Sequence, residues 1–367
     1  MSIVSACQMW LSGKHLAAFE WPSCVTLLPT PFQALRKSSP LLIEPTFAPP
    51  LHLDDAAVRR LLNLPALLPA VRDALIDLSA RRVVQPQRMV MEIPDAGGLL
   101  FVKPVLSDKA LATKLITQFP ENARLGLPTL LATIVLMDPR TGRTLAIMDG
   151  TWITELRTAA VTAVACDALT SPAPKVLALL GSGALARTHA LALRAVRPIT
   201  EIRIWSRDPG NVQRCAADIG GVACASAQEA VRGADIVCTV TNATEPVLRG
   251  AWLKPGAMVA AIGAARPGWR ELDDEVMRHT LIADSRHAAE VESGDVIESG
   301  ARVSAEIGEI LAGTKPAPAP GETWVFKALG QAVEDAAAAR LVYDAALAEQ
   351  AMAGNRQGDA SFSRGGA

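Results

Sequence analysis

"KVLALLGSGALARTHALAL", residues 175–193, decides how this chain is read. A short apolar run, 176–180, leads straight into Gly181-Ser182-Gly183-Ala184-Leu185-Ala186, and an alanine-rich segment of helical character follows. A buried strand that turns on glycine into a helix is the βα unit of a doubly wound sheet, and G-x-G-x-x-G/A in that setting is the fingerprint of a dinucleotide site. Gly181 permits the tight turn, Gly183 lets the backbone approach a pyrophosphate, and Ala186 keeps helix and strand close. The helix start offers free N–H groups to the anion. A glycine turn with no nucleotide is the plain alternative. Further apolar runs at 201–205, 234–240, 257–262 and 281–284, separated by helical segments, favour the nucleotide, because they make a buried parallel sheet.

The nucleotide type is read from the tip of the second strand, "IRIWSRDPGN", 202–211. An NAD enzyme usually carries Asp or Glu there for the ribose hydroxyls. Here the tip is Ser206 followed by Arg207; the serine can hydrogen-bond a 2′-phosphate and the arginine can clamp it. NADP(H) is therefore preferred, with NAD(H) still admitted. Asp208 next door opens a second reading, in which Arg207 and Asp208 form only a solvated surface pair. Thr241, just beyond the 234–240 run, joins the cofactor-binding set.

Upstream, "LDDAAVRRLLNLPALLPAVRDALIDLSA" has helical spacing with Asp54 as its N-cap. Runs at 88–93, 98–105 and 112–119 read as strands, and Pro139-Arg140-Thr141-Gly142 marks a hairpin between two more. This is an α+β region. Residues 1–50, with scattered prolines and no sustained period, read as an extension outside the fold, with a start codon placed too far upstream as one explanation. They lack the pattern of a signal peptide.

The 367 residues carry a formal net charge of −1, and 50% are hydrophobic. No long basic run argues for nucleic acid, and no apolar stretch approaches the roughly 18 residues of a membrane span. Cys7, Cys24, Cys166, Cys215, Cys224 and Cys238 are scattered, which fits free thiols in a reducing cytoplasm better than disulfides or zinc. The acids of "ELDDE", Glu271 to Glu275, read as partners of a helix start, not as metal ligands. His189 reads as a packing or surface histidine, and Trp205 and Trp269 as core or cleft-wall residues.

The segments "VVQPQRMVM", "ATKLITQFPEN", "GTWITELRTAA", "LLGSGALARTHA", "ADIVCTVTNATEPVL", "AAIGAARPGWRELDDE" and "ADSRHAAEVESGDV" resemble the ornithine cyclodeaminase/mu-crystallin family. The likeness runs from about Asp54 to about Asp344 and is strongest toward the mu-crystallin branch of NADPH-dependent ketimine reductases. It implies an α/β fold in which a Rossmann-type parallel sheet is inserted into an α+β substrate and dimerisation domain. The expected organisation is a 1–50 extension, a 51–170 first part of the substrate domain, a 171–313 Rossmann domain, a 314–354 segment returning to the substrate domain, and a 355–367 disordered tail. A homodimer is implied, with an imino or amino acid as substrate.

By the same resemblance, Arg88, Lys114 and Arg157 hold the substrate carboxylate. As a mechanistic reading beside it, Lys114 relays a proton through water or orients the substrate, and Glu292 is an acid partner of the iminium. Three cations in apolar segments make sense if they meet one anion, since a lone buried charge is costly. Ordinary ion pairs with Glu92, Asp149 or Glu155 are the alternative. Arg157 is placed in the first turn of its helix, with Thr154 as the cap, against the local dipole. The cyclodeaminase branch has an aspartate where this chain has Ala265, which counts against ornithine cyclisation and for a simpler reductase. An ornithine cyclodeaminase-type lyase and a non-catalytic ligand-binding protein are the competing readings. Two departures stand out: Leu185 replaces the glutamine of many relatives, and Lys103 in "LLFVKPV" is charged where an apolar residue is expected.

Overall fold

The structure, a computed structural model, describes residues 49–362 other than Pro174. The extension expected at 1–50, with Cys7 and Cys24, lies outside the described residues save for its last two, as does the end of the tail at 363–367.

The first half builds one sheet and the helices that cover one of its faces. Strand β1 (Leu51–Leu53) is followed by helices α1 (Asp55–Leu61) and α2 (Leu64–Ser79). Asp54 caps α1 as expected, accepting from the Ala57 amide at 2.8 Å. The single helical stretch of the sequence is two helices, because Asn63 caps a second start, with Pro65 in its first turn. Strands β2 (Met89–Ile93), β3 (Gly98–Leu106), β4 (Leu111–Gln118), β5 (Leu130–Met137) and β6 (Thr144–Asp149) then form an antiparallel meander. It closes on β1 in the order β1-β6-β5-β4-β3-β2. The period of two puts Lys103, Lys114, Ile134 and Met148 in one cross-strand row on the inner face. Met89, Val102, Leu115 and Thr133 make a row on the opposite face. Helix α3 (Thr151–Leu169), buried along most of its length, leads out of this layer.

The second half is an eight-stranded, wholly parallel sheet in the order β13-β12-β14-β11-β10-β7-β8-β9. Its elements in chain order begin with β7 (Lys175–Leu180), α4 (Ala184–Val196), β8 (Ile199–Trp205), α5 (Pro209–Ile219), β9 (Val222–Ala223), α6 (Ala227–Val231), β10 (Ile236–Thr239) and β11 (Met258–Ala261). There follow β12 (Thr280–Ala283), α7 (Arg286–Glu292), α8 (Gly294–Ser299), β13 (Ala305–Glu306), α9 (Ile307–Leu311), β14 (Trp324–Lys327) and α10 (Ala332–Phe362). Both faces are covered. Leu177 and Leu179 point into a core shared with α3, α4 and the first sheet, while Ala178 and Leu180 point into a separate core on the far side.

Three expectations change. The parallel sheet does not end at residue 313: Trp324–Lys327 is a strand between β11 and β12, so the 314–354 segment first completes the second sheet. Only then does it run along α2, α3 and the inner face of the first sheet as α10. The tail from 355 continues the preceding helix as far as Phe362. Thr154 is not a cap. Helix α3 starts four residues earlier, capped by Gly150, and the Thr154 hydroxyl donates back to the Gly150 carbonyl at 2.6 Å. Arg157 therefore sits in the second turn, where the dipole weighs little.

Candidate active site

The expected cofactor loop is a turn between β7 and α4. Gly181 has φ +122°, and a Cβ there would come within 2.6 Å of the Val240 carbonyl oxygen, so only glycine fits. A Cβ on Gly183 would meet nothing within 4 Å. Gly183 is the N-cap of α4 and makes no side-chain capping bond, which leaves the first amides of the helix open to an anion. Ala186 is fully buried against the sheet. These features fit a dinucleotide pyrophosphate.

Ser182 and Ser206 join their hydroxyls at 2.7 Å, tying the turn to the tip of β8. Arg207 is exposed there. Asp208 is not its ion-pair partner: it caps α5, accepting from the Asn211 amide at 2.9 Å. Arg187, one turn into α4, donates to the carbonyls of Ser182 (2.9 Å) and Gly183 (3.2 Å) and braces the loop.

Thr241 is turned inward. Its amide and hydroxyl both donate to Oε1 of the buried Glu271 at 2.6 Å, and Thr239 donates to Oε2 at 2.7 Å. Glu271 is thus a brace beneath the loops at the ends of β10 and β11, not a helix-start residue. Burial pushes its carboxyl above the usual range, and Lys327 beyond it pulls the other way. Lys327 itself bridges Asp295 (2.9 Å) and the Gly263 carbonyl.

The three expected anchors come from three elements. Arg88 precedes β2, Lys114 lies on β4 and Arg157 on α3. Lys114 and Arg157 do converge on one carboxylate, but it belongs to the chain. Asp335 Oδ1 accepts from Lys114 Nζ at 2.5 Å and from Arg157 Nε at 2.7 Å, while Arg157 Nη1 takes Glu334 at 2.8 Å. Neither Glu92, Asp149 nor Glu155 supplies these pairs. Lys103 joins the same cluster, with Nζ 2.8 Å from the Gly330 carbonyl and 3.3 Å from Asp335 Oδ2. Gly330, at φ +74°, lies against the Arg157 guanidinium, where a Cβ would be 2.5 Å from Nη1.

Arg88 stands apart from that knot. It pairs with Glu292 at 2.9 Å and donates to the Ala265 carbonyl in the loop after β11. Ala264, beside it, holds φ +51°. With Glu292, Lys103, Gln85, Ser285 and Gly330, Arg88 lines a cavity of about 160 Å³ between the first sheet, α7 and the turn before α10. Lys114, Arg157 and the glycine turn 181–183 are not among its lining residues.

Burial explains the titration behaviour. Lys114 is held well below the usual lysine range by desolvation, with Arg157 and Lys103 adding to the fall and Asp335 resisting it. Glu292 is raised by desolvation, against the pull of Arg88. Glu334 is pushed up to about 7 by burial, and its Oε1 has no hydrogen-bond partner. Asp335 goes the other way: although burial raises it, Arg157, Lys114 and Lys103 together hold it far below the carboxylate norm.

Sequence reasoning missed Glu334, Asp335 and Asp284. Asp284 is buried at the end of β12 and accepts the amides of Ser285, Leu329 and Gly330, which fixes the turn into α10. The one available signal was "AVED" at a helix start, which looks like any dipole-matching acidic turn.

Comparison with known proteins agrees with this architecture. The chain is 46% identical over 286 residues to the ketimine reductase mu-crystallin of Mus musculus, covering 76% of this chain and 91% of that one. Its fold matches that of Δ1-pyrroline-2-carboxylate reductase from Thermococcus litoralis, solved with NADH and L-proline. The TM-score is 0.77 at 34% identity, over 82% of this chain and 98% of that one. An archaeal alanine dehydrogenase dimer with bound NAD also aligns with a TM-score of 0.77, at 29% identity, over 82% and 97% of the two chains. The model of the ornithine cyclodeaminase/mu-crystallin family matches residues 51–350, and this chain belongs to that family.

Proposed function

We propose that this protein is an NAD(P)H-dependent reductase of cyclic ketimine carboxylates, such as Δ1-pyrroline-2-carboxylate and Δ1-piperideine-2-carboxylate. The products are the cyclic amino acids proline and pipecolate. The observation that carries this reading is Arg88. It stands just before β2 of the first sheet, and it reaches the Ala265 carbonyl at the carboxyl edge of the parallel sheet while lining a cavity with Glu292. Ligands of such sheets bind at that edge, so an acid-binding group stands beside the place where a dinucleotide ends.

The glycine turn at 181–183 and the Ser206–Arg207 tip would hold the dinucleotide, which supplies the hydride when bound. Ser206 and the exposed Arg207, with no carboxylate directed at them, support NADP(H) over NAD(H), although the two similar structures above carry NADH and NAD. Arg88 takes the substrate carboxylate through its planar fork. Glu292, whose carboxyl burial raises against the pull of Arg88, takes up a proton as the substrate carboxylate displaces it from Arg88, and gives it to the ring nitrogen as the imine carbon gains the hydride. The C=N π pair goes to nitrogen, and water reprotonates Glu292. Lys114 and Arg157 act from behind, holding Asp335 and Glu334 and making the wall positive. Ala265 offers only a backbone carbonyl where the cyclodeaminase branch carries an aspartate, which counts against an ornithine-type cyclisation. A reducing, cytoplasmic setting suits the free thiols of Cys166, Cys215, Cys224 and Cys238.

The test is a turnover screen of five- and six-membered cyclic imino acids with NADPH and NADH in parallel. Net oxidation of the dinucleotide with an imine, faster with NADPH, is expected. Ammonia release from ornithine without net oxidation would instead establish the lyase, and tight dinucleotide binding with no turnover would leave a binding protein.

A further inference from the structure

Lys103 has no task in the chemistry just described, yet it is buried in the cavity wall. Its inward-facing neighbours on the sheet, Val105, Ala112, Ile116, Ile134 and Leu136, are apolar; only Lys114, directly across on β4, shares its charge. An ammonium taken out of water needs a counter-charge. Asp335 already answers Lys114 and Arg157 at 2.5 and 2.7 Å, and Lys103 has only its other oxygen, at 3.3 Å. The shorter bond that Lys103 makes is to a neutral carbonyl, Gly330 at 2.8 Å.

Lys103 is thus the least compensated cation of the cluster, and it alone of the three that share Asp335 reaches the cavity. Two of its three N–H donors are spent. The other basic side chains in the lining are Arg88, His287 and, at the rim, Arg81, which faces Glu306 at 3.8 Å. The one lining carboxylate, Glu292, is held by Arg88. The wall therefore offers two separate anion contacts, Arg88 and Lys103, and a single carboxylate fills one of them.

We propose that Lys103 is a specificity-determining residue that binds a second acidic group, so that the site prefers imino acids carrying two carboxylates to those carrying one. This rests on the imine-reductase reading and sharpens it to a substrate class. The hydride and proton steps are unchanged; the added group takes no part in them.

The experiment compares kcat/KM for Δ1-piperideine-2-carboxylate and Δ1-piperideine-2,6-dicarboxylate in the wild-type chain, Lys103→Met and Lys103→Arg. The wild type should favour the dicarboxylate by about ten-fold or more, the worth of one charge-assisted hydrogen bond. Lys103→Met should abolish that preference, mainly through KM, and Lys103→Arg should keep it. An equal loss on both substrates would show that Lys103 only helps to grip the first carboxylate, and an unchanged ratio would show that it grips nothing; either overturns the proposal. Calorimetric titration of pyridine-2-carboxylate and pyridine-2,6-dicarboxylate, unreactive mimics of the two rings, measures the same preference without turnover. If neither imine is reduced but the dicarboxylate mimic still binds the wild type at least ten-fold tighter than Lys103→Met, the reductase reading fails and the second acid site stands. A rise in Tm with dinucleotide confirms that each variant is folded. Should Lys103→Met not fold, Lys103→Gln replaces it.

Discussion

Arg88 and Glu292 form an ion pair that a substrate carboxylate must share, and this sets the pH behaviour of the site. Glu292 is raised by burial, so its proton is present at low pH and lost as pH rises through its elevated pKa. If it is the proton donor, kcat/KM falls along that limb. Glu292→Gln should lower kcat by about 10²-fold or more and remove the limb; a limb that survives in the variant belongs to the imine and would sink this assignment. The cations were legible as residues, because arginine and lysine stand out in apolar strands. Their partners were not. Asp335 lies 178 positions from Arg157, and nothing local distinguishes an aspartate that neutralises a distant arginine from one that serves its own helix start. Lys103 was visible as a misfit, but whether it faced solvent or the cavity depended on the register with β4.

Helices α3 and α4 are joined by a buried polar contact that the sequence could not show. The His189 ring donates from Nδ1 to the Leu185 carbonyl at 2.7 Å, which leaves Nε2 to accept from the Thr162 hydroxyl at 3.1 Å. Burial pulls His189 down from 6.5 to about 4. The folded state therefore resists protonation more than the unfolded chain does. The stability this contributes is complete above about pH 6.5 and is lost as pH falls toward 4, by roughly 3 kcal/mol in all. Urea denaturation at pH 7 and pH 4 should show that loss, and His189→Gln should show correspondingly less of it. Among the strands, β7, β8, β10, β11 and β12 were readable as apolar runs. Strand β14 was not: four residues ending in Lys327, preceded by a proline-rich stretch, carry too little pattern. Its lysine is satisfied only by Asp295 and Gly263, which tertiary structure brings in.

At the scale of the molecule, the described residues cover the first sheet on one face only. On the other, Met89, Met91, Leu115 and Leu131 are 55%, 47%, 38% and 44% exposed and lie in two adjoining cross-strand rows. An apolar sheet face of this kind calls for a partner. A second copy is the occupant we propose; the archaeal alanine dehydrogenase aligned above is a dimer. Light scattering should give twice the chain mass. Leu115→Glu with Leu131→Glu should give single chains, since two carboxylates on an isologous face meet their own images; a monomeric wild type would rule the arrangement out. No helix among the described residues is long and apolar enough to cross a membrane. The place of β14 has a consequence for biosynthesis. The strand that fills the middle of the parallel sheet is made after both of its neighbours, β11 and β12, have left the ribosome. Until residue 327 emerges those neighbours have no common edge to pair with, so a nascent chain stalled before it should remain open to proteases in its nucleotide half. The residues that close that gap run directly on to Asp335, so one short stretch of chain completes both the parallel sheet and the charge knot.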